Sequence, residues 1–233
     1  MEELLLPSKI SFEESKKKSN SATFTVEPCY FGYGTTIGNA LRRVLLSSLP
    51  GAAVTAVKIK GVDQEFSALE NVKDDILKIC LNLKELKLKV FKDEPVVLKL
   101  SAKGQKKVTA ADFEKNSDVE IINKDLVITN LTDKKAELEM EVTVQQGRGY
   151  WPTEERSKDD IELGTILIDS VFSPVVKVGY KVEPTRVGDI TNYDKLTMDI
   201  ETDGTISPEE AVSQASKVLI DHFSLFTKKE DKK

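Results

Sequence analysis

The chain is poor in the residues that enzymes most often use for acid–base and metal chemistry. Its 233 residues include one histidine and two cysteines. Cys29 and Cys80 are far apart in sequence and lack the close spacing of a zinc site or a disulfide framework. His222 falls at the edge of an apolar helical stripe, where a packing role is expected. The sequence therefore predicts no cofactor, no metal site and no catalytic centre in this chain.

The remaining candidates for chemistry are two aspartate pairs and one glycine-containing loop. Neither Asp74-Asp75 nor Asp159-Asp160 has a third metal ligand at a suitable spacing, so both pairs are interpreted as solvated. Gly32-Tyr33-Gly34 is too short for a phosphate-binding loop and lacks the lysine. A stand-alone enzyme with an unrecognised carboxylate site is kept as an alternative, which turnover by the isolated chain would reveal.

Long apolar runs and a surplus of basic residues are also missing. No run approaches the length of a membrane span, and the amino terminus has no signal-peptide pattern. The net charge of -5 argues against sequence-independent DNA binding by the whole surface. A hydrophobic content of 39% is enough for a real core in one large or two small domains. We therefore expect a cytoplasmic protein with no membrane partner.

What the sequence does contain is a strongly patterned stretch over residues 34–51. Thr35 or Thr36 is predicted to cap a helix here, and Pro50-Gly51 to end it. Arg43 lies on one side with Leu46 beside it, and an exposed leucine next to a cation is typical of a contact with another chain. A helix packed only on its own core is the alternative, but it leaves that side unexplained. The opposite apolar stripe consists of Ile37, Ala40, Leu41, Val44, Leu45 and Ser48.

A second patterned helix lies near the other end of the chain. Ser207 and Glu210 form a capping-box pattern around Pro208, which predicts a helix start. Apolar residues then recur at Val212, Ala215, Leu219, Phe223 and Phe226. The middle of the chain mostly alternates with period two, which predicts antiparallel strands with one wet face. The pattern predicts an α+β fold in which both chain ends form one discontinuous domain and a β-rich domain is inserted between them.

Three further segments have their own expectations. Residues 147–152 are predicted to form an aromatic-bearing loop, and residues 153–162 a polar, exposed excursion. Residues 228–233 are predicted to form a charged tail.

Specific blocks of sequence follow one another in order between Leu5 and Phe226. They include residues 34–51, Gly147-Arg148-Gly149-Tyr150, Phe172-Ser173-Pro174-Val175 and Pro208-Glu209-Glu210-Ala211. Together they resemble the amino-terminal domain of the bacterial RNA polymerase alpha subunit. The resemblance implies a two-domain fold: a discontinuous dimerisation domain of helices and antiparallel sheet over 1–50 and 173–227, an inserted β-rich domain over 51–172, and the start of a linker at 228–233.

The resemblance also implies a function. A non-catalytic subunit of this family forms a homodimer and scaffolds assembly of the core enzyme by binding the beta and beta-prime subunits. The resemblance places the contacts with these large subunits at Arg43, Leu46, Lys84, Ile168 and Asp169, with Arg148–Trp151 in the same region. The homodimer contacts are expected at Ile37, Leu41, Val44, Leu45, Val212, Leu219 and Phe223. The equivalent subunit of an archaeal or eukaryotic polymerase is the alternative, and the mass in solution would separate the two.

Two features differ from the usual pattern of the family. Its members usually continue into a linker and a DNA-binding carboxy-terminal domain, whereas this sequence stops at Lys233. No direct sequence-specific DNA contact is therefore expected from the chain. Trp151 stands where the family usually has a smaller aliphatic residue, and its role is left open.

Overall fold

The computed structural model describes residues 5–15, 20–156, 162–188 and 190–227. The predicted tail over 228–233 and the Asp159-Asp160 pair lie outside these residues. The helices are α1 (Tyr33–Ser47), α2 (Ile76–Lys84) and α3 (Pro208–Ser224), with short 3-10 helices at Ala110–Asp112 and Thr153–Glu155. The strands are β1 (Lys9–Glu14), β2 (Ser21–Cys29), β3 (Pro50–Ile59), β4 (Leu88–Val90), β5 (Val96–Lys103), β6 (Lys107–Thr109), β7 (Val119–Ile121), β8 (Val127–Asn130), β9 (Glu137–Arg148), β10 (Tyr150–Trp151), β11 (Thr165–Leu167), β12 (Ser170–Val171), β13 (Val175–Val187) and β14 (Ile190–Thr202).

The chain divides into two compact units. We call residues 1–49 with 173–233 the terminal unit, and residues 50–172 the inserted unit. Each has its own hydrophobic core. Every strand pair in the described residues is antiparallel, which confirms the predicted α+β class with antiparallel sheets.

The terminal unit is a four-stranded sheet covered by two helices. The strand order is β1-β2-β14-β13, so strands from both ends of the chain pair directly. The long strands β13 and β14 pair from Val175↔Thr202 to Val187↔Ile190. Helix α1 packs on β13 and β14 and also contacts α3. The core between helices and sheet is built from alternating strand residues such as Phe24, Leu196 and Met198.

The inserted unit is built around a second four-stranded sheet of order β11-β3-β9-β5. Along β5 the side chains alternate strictly between buried and exposed, as a sheet with one wet face requires. On the wet side, Lys99 and Lys103 of β5 pair with Glu141 and Glu137 of β9. Lys60, directly after β3, pairs with Glu139 of β9 at 2.8 Å. Helix α2 contacts β3 and β8. Three two-stranded ladders, β4-β7, β6-β8 and β10-β12, complete the unit.

The ends of α1 differ from the sequence prediction. Neither Thr35 nor Thr36 is the N-cap, because the helix begins after Gly32, which adopts a left-handed conformation with φ 82°. A residue from a distant strand supplies the cap instead: Asp194 Oδ2 accepts from the Gly32 N–H at 2.9 Å and the Gly34 N–H at 3.1 Å. The helix ends at Ser47, before Pro50 and Gly51, which open β3. A carboxylate at a helix N-terminus satisfies free N–H groups and complements the helix dipole.

Helix α3 begins as the sequence predicts. The Ser207 side chain accepts from the Glu210 N–H at 3.1 Å, while Glu210 Oε2 accepts from the Ser207 N–H at 2.9 Å. Pro208 occupies the first turn. Both hydrogen bonds of the predicted capping box are therefore present. The motif could be predicted because its two residues are only three positions apart in sequence.

Two segments predicted as irregular are ordered. Residues 147–152 are not a loop, because Gly147 and Arg148 end β9 and Tyr150–Trp151 form β10, which pairs with β12. Residues 153–155 form a 3-10 helix, and Arg156 is only 9% exposed. The expected polar excursion is thus wrong for Arg156, while residues 157–161 lie outside the described residues.

Candidate interaction surfaces

Two adjacent arginines on α1 differ in what they contact. Arg42 Nε donates to the Val178 carbonyl of β13 at 3.3 Å, which attaches its side chain to the sheet below. Arg43 is exposed, and within the described part of the chain its guanidinium has no hydrogen-bonding partner. Its backbone carbonyl accepts from Ser47 Oγ at 2.8 Å. The sequence prediction that Arg43 faces outward agrees with this placement.

The apolar residues of α1 divide into two groups. Leu41 and Leu45 are buried in the terminal unit's own core, with exposures of 5% and 0%. Ile37 and Val44 form a half-buried flank against that core. Leu46, expected to be exposed beside Arg43, is also half-buried and packs against the same core. The expectation of an exposed leucine is therefore wrong, because one side of Leu46 packs against the core of the terminal unit.

The apolar stripe of α3 leaves its own core halfway along the helix. Val212 and Ala215 are 6% and 0% exposed, and Leu219 is half-buried. Phe223, one step further along the stripe, is 59% exposed and Phe226 is 82% exposed. Ile220 and Leu225 are exposed in the same region. The first half of the helix is packed by its own chain, and the second half presents large apolar side chains to solvent.

In the inserted unit the fold brings two predicted site residues together with an aromatic side chain. Lys84 ends α2, and its Nζ lies 3.8 Å from Asp169 Oδ2. The same Nζ lies 5.8 Å from the centre of the Tyr150 ring, within the range of a cation–π contact. Asp169 Oδ1 accepts from the Thr153 N–H at 2.9 Å. We call Lys84, Tyr150 and Asp169 the Lys84 patch.

The electrostatics of the Lys84 patch follow from these contacts. The Thr153 backbone N–H, followed by the Thr153 side chain and Lys84, keeps the pKa of Asp169 below its ordinary value against the opposing effect of burial. Burial, followed by the charge of the nearby Asp169, raises the pKa of Tyr150. At neutral pH the patch therefore carries one lysine cation, one carboxylate and a neutral phenol.

Ile168, the fifth residue predicted to contact the large subunits, is only 5% exposed. Its N–H donates to the Thr55 carbonyl at 2.9 Å, and its carbonyl accepts from Arg156 Nη2 at 2.9 Å. Ile168 therefore fixes the backbone next to Asp169 and presents almost no side-chain surface. Arg43 and Leu46 belong to the terminal unit, whereas Lys84, Ile168 and Asp169 belong to the inserted unit.

Sequence reasoning missed two residues that organise these surfaces. Asp194 lies in a polar stretch and gives no local sign that it caps a helix more than 150 positions away. Arg156 stands among charged residues, which made it look solvated, although a buried guanidinium binds four groups there. A signal was available for two others: Gly34 and Gly38 are one helical turn apart, a spacing that allows close approach to a neighbouring element.

Few other groups of the described residues suggest chemistry. Both cysteines are free and buried, and burial raises the pKa of Cys80 to about 11. The described ranges contain no cluster of three or more potential metal ligands. The same ranges contain no helix that is both long and apolar enough to span a bilayer.

Comparison with known proteins identifies the family. Residues 57–173 match the family model described as the RNA polymerase Rpb3/RpoA insert domain. The chain is 50% identical over 218 residues to the DNA-directed RNA polymerase subunit alpha of Oceanobacillus iheyensis, which covers 94% of this chain and 69% of the relative. Identity at this level over nearly the whole chain, together with the family match, shows that the chain belongs to the bacterial DNA-directed RNA polymerase alpha subunit family.

Proposed function

We propose that the chain forms a homodimer through its terminal unit and thereby scaffolds assembly of the polymerase core. The observation that carries the dimer is the uncovered half of α3. Phe223 and Phe226 continue the stripe that Val212 and Ala215 bury in the chain's own core. Large exposed apolar side chains in an ordered helix are typical of a protein–protein interface.

A second copy of the chain is the occupant that fits this surface. In a two-fold symmetric dimer the same patch meets itself, so each apolar residue is buried on both protomers. Fully burying one large apolar side chain contributes about 1.5–3 kcal/mol before the costs of association. Ile37, Val44, Leu219 and Phe223 retain surface for this contact. Leu41, Leu45 and Val212 have little exposed surface, so they contribute to the interface only by packing beneath these residues.

The contacts with the large subunits are part of the same proposal. Arg43 has an exposed guanidinium on α1 that no other described residue binds, which makes it a suitable anchor for a carboxylate or carbonyl of the beta subunit. The Lys84 patch adds a cation and a phenol to the inserted unit's surface. We assign Arg43, with Leu46 beside it, and the Lys84 patch to beta and beta-prime capture. Assembly would take place in the cytoplasm, with no direct sequence-specific DNA contact by this chain.

The two arginines of α1 give a matched test of beta capture. Arg43→Ala is expected to weaken binding of purified beta subunit to the dimer by about tenfold, the effect of losing about 1.4 kcal/mol. Arg42→Ala removes a side chain of equal size and charge that already binds the Val178 carbonyl of its own unit. The affinity for the beta subunit should therefore change by less than about twofold. Equal binding by Arg43→Ala and the unmodified chain in a pull-down or interferometry titration would refute the assignment.

The dimer is tested separately by sedimentation. Phe223→Asp places a charge in the proposed interface and is expected to yield a folded monomer at micromolar concentration. Lys217→Asp, on the exposed side of the same helix, should leave the dimer intact. A monomeric unmodified chain at these concentrations would contradict the proposal.

A further inference from the structure

Arg156 is a buried cation whose hydrogen-bonding partners among the described residues are all neutral. Its Nη1 donates to the Thr55 carbonyl at 2.6 Å, and its Nη2 donates to the carbonyls of Trp151 and Ile168 at 3.1 and 2.9 Å and to Ser170 Oγ at 2.7 Å. No carboxylate of the described residues binds it directly, and its Nε has no partner. Burying a charge in such surroundings is costly, and an apolar side chain of the same volume is often at least as stable. The residue therefore calls for an explanation other than stability.

The acceptors that Arg156 binds belong to residues adjacent in sequence to Asp169 and Tyr150 of the Lys84 patch. Ile168 precedes Asp169 and Ser170 follows it, so the guanidinium holds the chain on each side of that carboxylate. Trp151 follows Tyr150 directly, and its carbonyl accepts from the same Nη2. Ser170 Oγ extends the network by donating to the Val54 carbonyl of β3 at 2.7 Å. One side chain thus connects β3, β10 and the segment between β11 and β12.

Trp151 completes this arrangement. The Arg156 guanidinium carbon lies over the indole ring, 4.3 Å from its centre, which is within the range of a cation–π contact. The flat guanidinium fork can serve acceptors in several directions while keeping one face on a ring, and a lysine ammonium cannot reproduce this.

We propose that Arg156, stacked on Trp151, is a positioning residue that holds Tyr150 and Asp169 in the geometry with which the Lys84 patch captures a large polymerase subunit. This inference rests on the proposed function of the patch. It also gives Trp151 a role, since the ring restrains the guanidinium. The effect on the partner passes through the backbone, because Arg156 itself is almost fully buried.

The test uses the full chain and two independent readouts. Arg156→Met keeps the length and loses the fork, whereas Lys107→Met removes an exposed cation of the same unit as a control. The first readout is the titration of Tyr150 by NMR with ring-labelled tyrosine, assigned by Tyr150→Phe. If Arg156 positions Tyr150 against Asp169, then Arg156→Met lowers the raised pKa of Tyr150 towards the ordinary tyrosine value of about 10. The second readout is binding of purified beta and of purified beta-prime subunit, where the subunit that depends on Lys84 should bind about tenfold more weakly.

The outcomes separate this inference from the proposed function. An unchanged Tyr150 titration in folded Arg156→Met overturns the positioning role, whatever happens to binding. A shifted titration with unchanged binding of both subunits also overturns it, provided that Lys84→Ala weakens binding of one of them. If Lys84→Ala has no effect, the proposed role of the patch fails instead. If Arg156→Met does not fold, Trp151→Leu is the second variant, because it keeps the backbone acceptor and removes the ring. For the inference to stand, Trp151→Leu must also lower the pKa of Tyr150 and must weaken subunit binding about threefold.

Discussion

At the scale of single residues, the surfaces of this chain depend on side chains whose partners are remote in sequence. Asp194 shows this for α1, whose first N–H groups it binds from β14. A helix start with a local hydroxyl or carboxylate can be recognised in a sequence, but one capped from another strand cannot. The role of Asp194 is visible only once β14 and α1 are packed together.

The cap can be measured by replacing Asp194. Asp194→Ala leaves two N–H groups of α1 without their acceptor and should lower the free energy of unfolding of the terminal unit by about 1–2 kcal/mol. Asp194→Asn keeps an acceptor oxygen and should lose less. Asp199 on the same strand is exposed and, within the described residues, its side chain accepts one hydrogen bond, from the Thr23 hydroxyl at 2.8 Å. Asp199→Ala therefore serves as the control, with a loss below about 0.5 kcal/mol. Urea unfolding followed by circular dichroism compares them, and equal losses for Asp194→Ala and Asp199→Ala would rule out the cap.

The Lys84 patch should make the inserted unit sensitive to acid. The pKa of Asp169 is lowered in the folded chain, chiefly by the Thr153 backbone N–H. Its stabilising contribution is therefore complete above the unfolded pKa of about 3.9 and disappears as the pH falls through the lower folded value. Relative to Asp169→Asn, the unmodified chain should be more stable at pH 7, by less than about 1 kcal/mol because the group is partly solvated. This difference should vanish at the acid end of a series of unfolding curves, and a difference that grows with acidity would contradict the assignment.

At the scale of elements, α1 packs against β13 and β14 with two glycines, Gly34 and Gly38, at the contact. A Cβ at Gly38 would come within 2.8 Å of the Tyr180 ring and 2.9 Å of Leu196 Cδ1. Leu196 is fully buried, so it has little room to move. The two glycines on the buried side of the helix therefore set its distance from the sheet.

Gly38→Ala should consequently destabilise the terminal unit. Alanine favours a helix over glycine by about 1 kcal/mol, but crowding in a packed core typically costs about 1–3 kcal/mol, so a net loss is expected. The neighbouring Asn39 is exposed, and Asn39→Ala gains propensity without crowding. The two variants should change the unfolding midpoint in opposite directions. A midpoint raised by Gly38→Ala would show that the helix can move away from the sheet at little cost.

The elements also show how far a sequence can be read. The apolar period located α1 and α3, and Ser207-Pro208 marked the start of α3, because these signals depend on neighbours within a few positions. The α+β class followed from strands that alternate along β9. The same reading failed for Tyr150–Trp151, whose pairing partners in β12 are 21 and 19 residues away, and for Arg156, whose hydrogen-bonding partners lie on separate strands. Patterns within one element were predictable, whereas contacts between elements were not.

At the scale of the whole molecule, the two units have separate cores and separate reporters. The single tryptophan, Trp151, lies in the inserted unit and reports its unfolding by fluorescence. Helices α1 and α3, with 15 and 17 residues, belong to the terminal unit, while α2 in the inserted unit has 9 residues. Circular dichroism at the helical band therefore reports mainly on the terminal unit. Unfolding of each unit can be followed in one sample.

These reporters allow the dimer to be tested through its effect on stability. If two copies associate through α1 and α3, unfolding of the terminal unit includes dissociation, so its midpoint rises with protein concentration. Each tenfold increase adds about 1.4 kcal/mol per dimer, which corresponds to a shift of about 3–6 °C. The Trp151 fluorescence transition should stay fixed, because the inserted unit carries none of the proposed dimer contacts.

In Phe223→Asp the helical transition should lose its dependence on concentration. A helical transition independent of concentration in the unmodified chain would contradict the dimer, and a fluorescence transition that moves with it would contradict the restriction of the interface to the terminal unit.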